Sequence, residues 1–159
     1  MVDKEKIAST EIFRELNRDQ LEKIANLCEE IRFDDGDKII TDGKTNDFFF
    51  ILEEGRVDLR FEVPYRKTSK EMTVLTIEPG ECFGWSALVP PHKATLSGYS
   101  IGKSRAIKIQ AAKLLNFFER NNSIGYLIMS KLAMVIASRL TKQRELYIKD
   151  LGDSLQFKW

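Results

Sequence analysis

Side chains that could bind a metal ion or act as nucleophiles are few in this sequence. There is one histidine, His92, and the two cysteines, Cys28 and Cys82, lie far apart among apolar neighbours. A zinc site needs several ligands at close spacing, and no His-x-His or Glu-x-x-His sequence occurs. No G-x-S-x-G motif marks a nucleophilic serine. The sequence therefore predicts a protein that is not an enzyme, binds no metal and keeps both cysteines reduced.

Length and charge limit the possible partners. The 159 residues, 43% of them hydrophobic, suffice for one domain with one core. The 25 basic and 24 acidic side chains give a net charge of +1, which attracts neither nucleic acid nor anionic membranes. Residues 1–6 are charged and do not resemble a signal sequence, and the apolar stretch 126–140 is shorter than the roughly 20 residues of a membrane-spanning helix. We expect a cytoplasmic protein without membrane or nucleic-acid contacts.

The amino-terminal residues predict two short helices between about positions 9 and 29. Asn17 and Gln20 have the spacing of a capping box at the start of the second helix. An apolar face with helical periodicity follows, and it consists of Leu21, Ile24, Ala25 and Cys28. This face should pack on the rest of the domain.

Residues 31–109 have the pattern of short strands separated by turns. The turn signals are Gly36, Gly43, Gly55, Gly80 and Gly102. Residues 48–52 are typical of a buried strand. In residues 57–63 apolar side chains alternate with Asp58, Arg60 and Glu62, which predicts a half-exposed strand, and residues 64–70 predict a solvated loop. This part of the chain is therefore expected to be a mainly β barrel or sandwich.

Helical periodicity returns in residues 111–118 and in a long helix from about 123 to 149. The long helix is apolar on almost every side between residues 126 and 137, so both faces need cover. We expect the same helix of a second subunit to supply this cover in a homodimer. The candidate interface residues are Leu127, Ile128, Leu132, Val135, Ile136 and Leu140. Alternatively, the tail 150–159 folds back with Leu151, Leu155, Phe157 and Trp159.

Three segments carry a resemblance to a known family: residues 36–43 (GDKIITDG), 49–57 (FFILEEGRV) and 78–84 (EPGECFG). With the order of elements, they make residues 12–149 similar to the cyclic nucleotide-binding domains, as found in the catabolite activator protein and in the regulatory subunits of cyclic-AMP-dependent kinase. The resemblance implies a mainly β, double-stranded β-helix (jelly-roll) barrel, related to the cupins. It further implies one domain over residues 1–159, with helices at about 9–29 and 110–149 and a tail over 150–159.

By this resemblance, residues 83–95 form the phosphate-binding cassette, a short helix whose backbone N–H groups face the cyclic phosphate. The small residues Gly84, Ser86 and Ala87 would let an anion approach the backbone closely. The candidate ligand pocket consists of Gly84, Trp85, Ser86, Ala87, Leu88, His92, Lys93, Ala94 and Thr95.

The cassette departs from the family at two positions. Nucleotide-binding members have a glutamate for the ribose 2′-hydroxyl where this chain has Trp85, which can only donate. The arginine that grips the phosphate aligns with His92, and Lys93 follows it as a point charge. Losing two charge-assisted hydrogen bonds weakens binding by roughly two to four orders of magnitude. Trp85 is then either a stacking platform for a planar ligand or a plug that fills the space left by the lost nucleotide. His92 and Lys93 form either an anion site or a solvated turn.

The sequence thus predicts a non-enzymatic sensing module for a small anionic ligand or a protein partner, with no required cofactor. The resemblance implies that movement of the last two helices relays the signal. Two alternatives remain open: a genuine cyclic-AMP or cyclic-GMP receptor, and a closed-pocket scaffold that acts only through protein–protein contacts. An open cavity at Ser86, Ala87 and His92 or Lys93 would indicate a receptor. Residues 150–159 are too few for a helix-turn-helix domain, so no direct DNA binding is expected.

Overall fold

Residues 28–110 form eight strands in the computed structural model, which describes residues 2–156, and six of the seven connections between these strands contain glycine. The strands are β1 (Cys28–Phe33), β2 (Lys38–Ile40), β3 (Phe48–Glu54), β4 (Val57–Arg60), β5 (Thr73–Ile77), β6 (Cys82–Phe83), β7 (Ser97–Ser100) and β8 (Ser104–Gln110). They form two antiparallel sheets of four strands, ordered β1-β8-β3-β6 and β2-β7-β4-β5. With helices before and after them, these sheets make the predicted jelly-roll barrel, and the predicted fold class is confirmed.

Two short helices precede the barrel, α1 (Lys4–Ala8) and α2 (Arg18–Ala25). The capping box of α2 is confirmed: Gln20 N donates to Asn17 Oδ1 and Asn17 N donates to Gln20 Oε1, both at 2.9 Å. The prediction that the first helix begins near residue 9 is wrong. The hydroxyls of Ser9 and Thr10 donate to the carbonyls three residues earlier and so end α1. Cys28 begins β1 instead of extending α2.

Strand β3 is buried on both faces, as predicted. Phe50 and Leu52 belong to an apolar cluster between the two sheets, in which Phe50 and Phe83 stack with ring centroids 4.9 Å apart. Phe49 and Ile51 belong to a second cluster, which joins the outer face of this sheet to the helices. The barrel interior and the helical layer therefore share β3 as a common wall.

Strand β4 differs from its predicted half-exposed state, because both of its faces are buried. Val57 and Leu59 face the barrel interior. On the opposite face Asp58 and Arg60 are each only 7% exposed. The chain leaves the sheet after Arg60, and most of residues 61–70 form the expected exposed loop.

A hydrogen-bonded network explains why two charged side chains of β4 can be buried. Arg60 Nη2 lies 3.0 Å from Asp58 Oδ2. The hydroxyls of Thr73 and Thr76 also donate to the Asp58 carboxylate, at 3.1 and 2.9 Å. The Arg60 guanidinium lies 5.3 Å from the ring centroid of Tyr99. Each charge is therefore paired and hydrogen-bonded, which is the condition under which burial is tolerated.

Two helices follow the barrel, α3 (Ala111–Arg120) and α4 (Asn122–Gln156). The face of α4 that packs on the domain includes most of the predicted interface residues. Ile128 and Leu132 are buried in the helical cluster, and Leu127, Val135 and Ile136 are partly buried against it. The prediction that Ile128 and Leu132 form a subunit interface is therefore wrong, because their own domain covers them. Leu140 is 65% exposed.

The tail predicted from residue 150 is a continuation of α4 to Gln156. Leu151 and Leu155 lie on this helix with exposed fractions of 44% and 59%, so they do not fold back over α4. Phe157 and Trp159, the other side chains of that alternative, lie outside the described residues.

Candidate functional site

The cassette begins at a glycine that no other residue could replace without strain. Gly84 has φ +76°, in the left-handed region, and it starts a 3₁₀ turn over Trp85–Ala87. A Cβ on Gly84 would lie 2.9 Å from the backbone oxygen of Phe48. The turn is thus pressed against the start of β3.

Asn46 ties both ends of the cassette to the loop before β3. Its side-chain Nδ2 donates to Gly84 O at 3.0 Å and to Ser86 Oγ at 3.3 Å. Its backbone N donates to His92 O at 2.8 Å. Asn46 is only 8% exposed. Sequence reasoning missed this residue, although a polar side chain directly before a buried strand is a signal that could have identified it.

Trp85 does not belong to the apolar cluster inside the barrel. Its half-buried side chain packs against the cluster that joins the outer face of the β3 sheet to the helices, whereas the cluster inside the barrel contains Phe50 and Phe83. Both interpretations of Trp85, as a stacking platform and as a plug of the space left by a nucleotide, stay predictions.

His92 and Lys93 lie in different surroundings. His92 has φ +61°, and its Nδ1 lies 2.9 Å from the carbonyl oxygen of Ala87. His92 and Ala87 line a cavity of about 350 Å³ beside the loop 45–48 and the start of α3. Lys93 is exposed and forms an isolated bridge with Thr45.

The remaining candidate residues lie apart from that cavity. Ser86 and Leu88 are buried, Ala94 belongs to the barrel cluster, and Thr95 is exposed. Ser86 does not line the cavity itself, although its Oγ lies 3.3 Å from Nδ2 of Asn46, which does. The structure brings together two members of the predicted pocket, Ala87 and His92.

Thiols and carboxyls near the barrel have shifted pKa values. Burial raises the pKa of the Cys28 thiol to about 12 and also raises that of Cys82, which directly precedes Phe83. Both cysteines are free and buried, which suits a packing role. Hydrogen bonds from Lys38 and Tyr99 lower the pKa of Glu62 to about 2.

Residues 30–121, more than half of the chain, match the family model described as "Cyclic nucleotide-binding domain". The chain belongs to this family. Gly84 with its positive φ and the short turn after it lie within the matched range, where the resemblance had placed the cassette.

Among curated proteins, this family member is similar to regulatory parts of cyclic-nucleotide-dependent kinases. It is 34% identical to an isozyme 2 form of the cGMP-dependent protein kinase of Drosophila melanogaster, over 52% of this chain and 9% of that protein. It is 26% identical to the cAMP-dependent protein kinase regulatory subunit of Dictyostelium discoideum, over 62% and 30% of the two chains. The chain thus spans a small part of the curated relatives that it matches.

Solved structures give longer matches. A Geobacter metallireducens protein, assigned provisionally to the cyclic nucleotide-binding proteins, has 29% identity and a TM-score of 0.77, over 88% of this chain and 99% of the other. The catabolite activator protein of Thermus thermophilus, at 18% identity, has a TM-score of 0.71 over 90% of this chain and 63% of its own. The second likeness shows the fold alone.

Proposed function

We propose that this family member is a non-enzymatic regulatory module that responds at its cassette to a small anion or a protein partner, and not to a cyclic nucleotide. One observation carries the proposal: the backbone N–H groups of Ala87, Leu88 and Val89 donate to carbonyl oxygens within the cassette itself, at 3.0–3.3 Å. These donors, which the resemblance turns toward a cyclic phosphate, are thereby bonded within the protein. Trp85, at the position of the family's ribose-binding glutamate, packs against the apolar cluster outside the barrel interior.

The cavity beside His92 is the part of the cassette that can receive an effector. Its polar side chains include Thr45, Asp47 and His92, and the first turn of α3 forms another part of its wall. A ligand or partner group bound there would contact the cassette and α3 at once. Such contacts would bias the position of α3 and α4, which is the relay that the family resemblance implies.

A cyclic-nucleotide receptor is the second candidate function. It is favoured by the 34% identity to a cGMP-dependent protein kinase and by the left-handed glycine at the start of the cassette. Because the matched region is 9% of that kinase, the similarity does not extend the kinase reaction to this chain. Direct titration separates the two candidates.

We expect no rise in melting temperature when the purified protein is titrated with cyclic AMP or cyclic GMP up to millimolar concentration. A ligand that binds only the folded state raises the melting temperature by mass action, and losing two charge-assisted contacts removes that effect. A saturable rise at micromolar nucleotide would contradict the proposal. In that case a Lys93→Gln variant, which removes an exposed charge of the cassette, should weaken the response if the nucleotide binds there.

We further propose that α4 pairs with a second copy of itself, through a different face from the one predicted. Its exposed residues Ile148, Leu151 and Leu155 lie on one side of the helix, at spacings of three and four. The part of α4 beyond Leu140 is exposed on nearly all sides. Because isolated helices of this length are marginal in water, a partner helix would stabilise it.

Substituting this exposed face should abolish the dimer. We expect sedimentation to show a dimer for the wild type and a monomer for the Ile148→Lys/Leu151→Lys variant, with dissociation increased roughly a hundredfold or more. The control is Phe61→Lys, since Phe61 is 56% exposed on the barrel loop and should leave the dimer intact. A wild-type protein that stays monomeric at high micromolar concentration would disprove the pairing.

Helix α4 is also long and apolar enough, by length and composition, to cross a membrane over Asn122–Leu155. Core helices of soluble proteins meet the same criteria. Ile124, Ile128 and Leu132 pack in the core of the domain, as they could not in lipid. We therefore attribute the remaining apolar surface to the pairing of subunits and keep a cytoplasmic location as part of the proposal.

A further inference from the structure

A second cavity, of about 250 Å³, lies between α4, the segment before α2 and the rim of the barrel. It has no lining residue in common with the cavity beside His92. The charged side chains around it are Glu11, Arg14, Glu81, Lys131, Arg139 and Lys142. We call it the α4 groove.

Arg139 is the unusual member of this groove. Its side chain is 12% exposed, its Nη2 donates to the carbonyl oxygen of Cys82, and the same atom lies 3.6 Å from Glu11 Oε1. Its Nη1 is buried and has no hydrogen-bond partner within residues 2–156. A buried donor left without an acceptor is costly, and more so when the group is charged. Because Arg139 lines the groove, an acceptor that reaches Nη1 from there would remove this cost.

The two acidic side chains of the groove already accept hydrogen bonds, so they do not neutralise all of its cations. Glu11 is occupied, because its Oε1 accepts from Cys82 N at 2.9 Å. Glu81 accepts from Glu78 N at 2.8 Å, and Lys131 pairs with Glu15.

Two further cations stand at the edge of the groove. Across the described part of the chain, neither Arg14 nor Lys142 has a salt-bridge partner, and both are exposed. The groove thus combines one unsatisfied buried guanidinium nitrogen with two unpaired cations at its rim. This combination matches an oxyanion with several acceptor oxygens.

We propose that the α4 groove binds a small phosphate-bearing molecule, with Arg139 holding the phosphate from below and Arg14 and Lys142 from the rim. Three cationic donors suit the three free oxygens of a phosphate monoester. The site goes beyond the proposed function, because it does not involve the cassette. It would place a ligand against Arg139, the side chain that links α4 to β6.

The test is a calorimetric and thermal-shift titration of the full chain with inorganic phosphate and with sulfate, at an ionic strength held constant with sodium chloride. We expect saturable binding of both ions and a rise in melting temperature that chloride does not cause. Lys142→Gln and Arg14→Gln should each weaken binding about tenfold, since each removes one charge-assisted contact. Both side chains are exposed, so the variants should remain folded.

Two control variants locate the binding. Lys113→Gln removes an exposed charge on α3, outside the groove, and should bind phosphate like the wild type. Lys93→Gln removes the cassette charge and should also leave binding unchanged. The proposal is overturned if phosphate and sulfate do not bind saturably, or if Lys142→Gln and Arg14→Gln bind as the wild type does. Binding lost in Lys93→Gln alone would instead assign the anion to the cassette.

Discussion

Replacing Asp58 by alanine is expected to lower the free energy of unfolding by about 3–5 kcal/mol. The Asp58 side chain is 11% exposed and that of Arg60 is 9% exposed, so the substitution leaves a nearly buried guanidinium without its carboxylate. Two threonine hydroxyls lose their acceptor at the same time. Urea unfolding followed by circular dichroism measures the loss.

Two variants show whether the unpaired charge causes this loss. In an Arg60→Met background, Asp58→Ala should lower the free energy of unfolding much less, because no buried charge remains unpaired. Glu145→Ala, at an exposed site on α4, should change stability by less than about 0.5 kcal/mol. An Asp58→Ala protein within about 1 kcal/mol of the wild type would refute the view that β4 depends on this pair.

Two glycines of the cassette region should respond differently to alanine. Gly80→Ala should cost about 1–2 kcal/mol, since φ is +92° and an added Cβ meets nothing within 4 Å. Gly84→Ala bears a similar backbone cost and also places a Cβ 2.9 Å from Phe48 O and 3.1 Å from Asn46 Nδ2. We expect an additional loss of about 1–3 kcal/mol at Gly84.

Thermal unfolding of these two variants under identical conditions gives the comparison. The difference between them measures how tightly the cassette is pressed onto β3, because the conformational cost is common to both. Equal losses would mean that the loop before β3 moves away easily. The cassette would then be open to a ligand, which would favour the receptor over the proposed module.

Local sequence signals identified several elements correctly. Glycine turns and alternating apolar residues predicted the strands, because turns and sheet faces depend on residues close together in the chain. The capping box of Asn17 and Gln20 was predictable for the same reason. The conformation of residues 9–16 was not predictable in this way, since the hydroxyls of Ser9 and Thr10 compete there with the helical hydrogen bonds.

The faces of the elements were harder to predict than the elements. Asp58 and Arg60 alternate with apolar residues as solvated side chains would, yet Thr73, Thr76 and Tyr99 from neighbouring strands cover them. The apolar residues of α4 indicated that two faces need cover. They did not indicate which face the protein itself covers, because that depends on where α3 and the amino-terminal segment lie.

The sequence by itself identified the family by resemblance, and that resemblance implied the jelly-roll fold and the position of the cassette. Its glycines also marked six of the seven connections between strands, because glycine adopts positive φ without steric cost. Only the tertiary structure decided what the cassette faces. The Asn46 amide meets Gly84 and Ser86 from some forty residues away in the chain, and Trp85 packs against a cluster whose members come from both ends of the sequence. Such contacts join distant residues, and no local pattern of spacing or polarity specifies them.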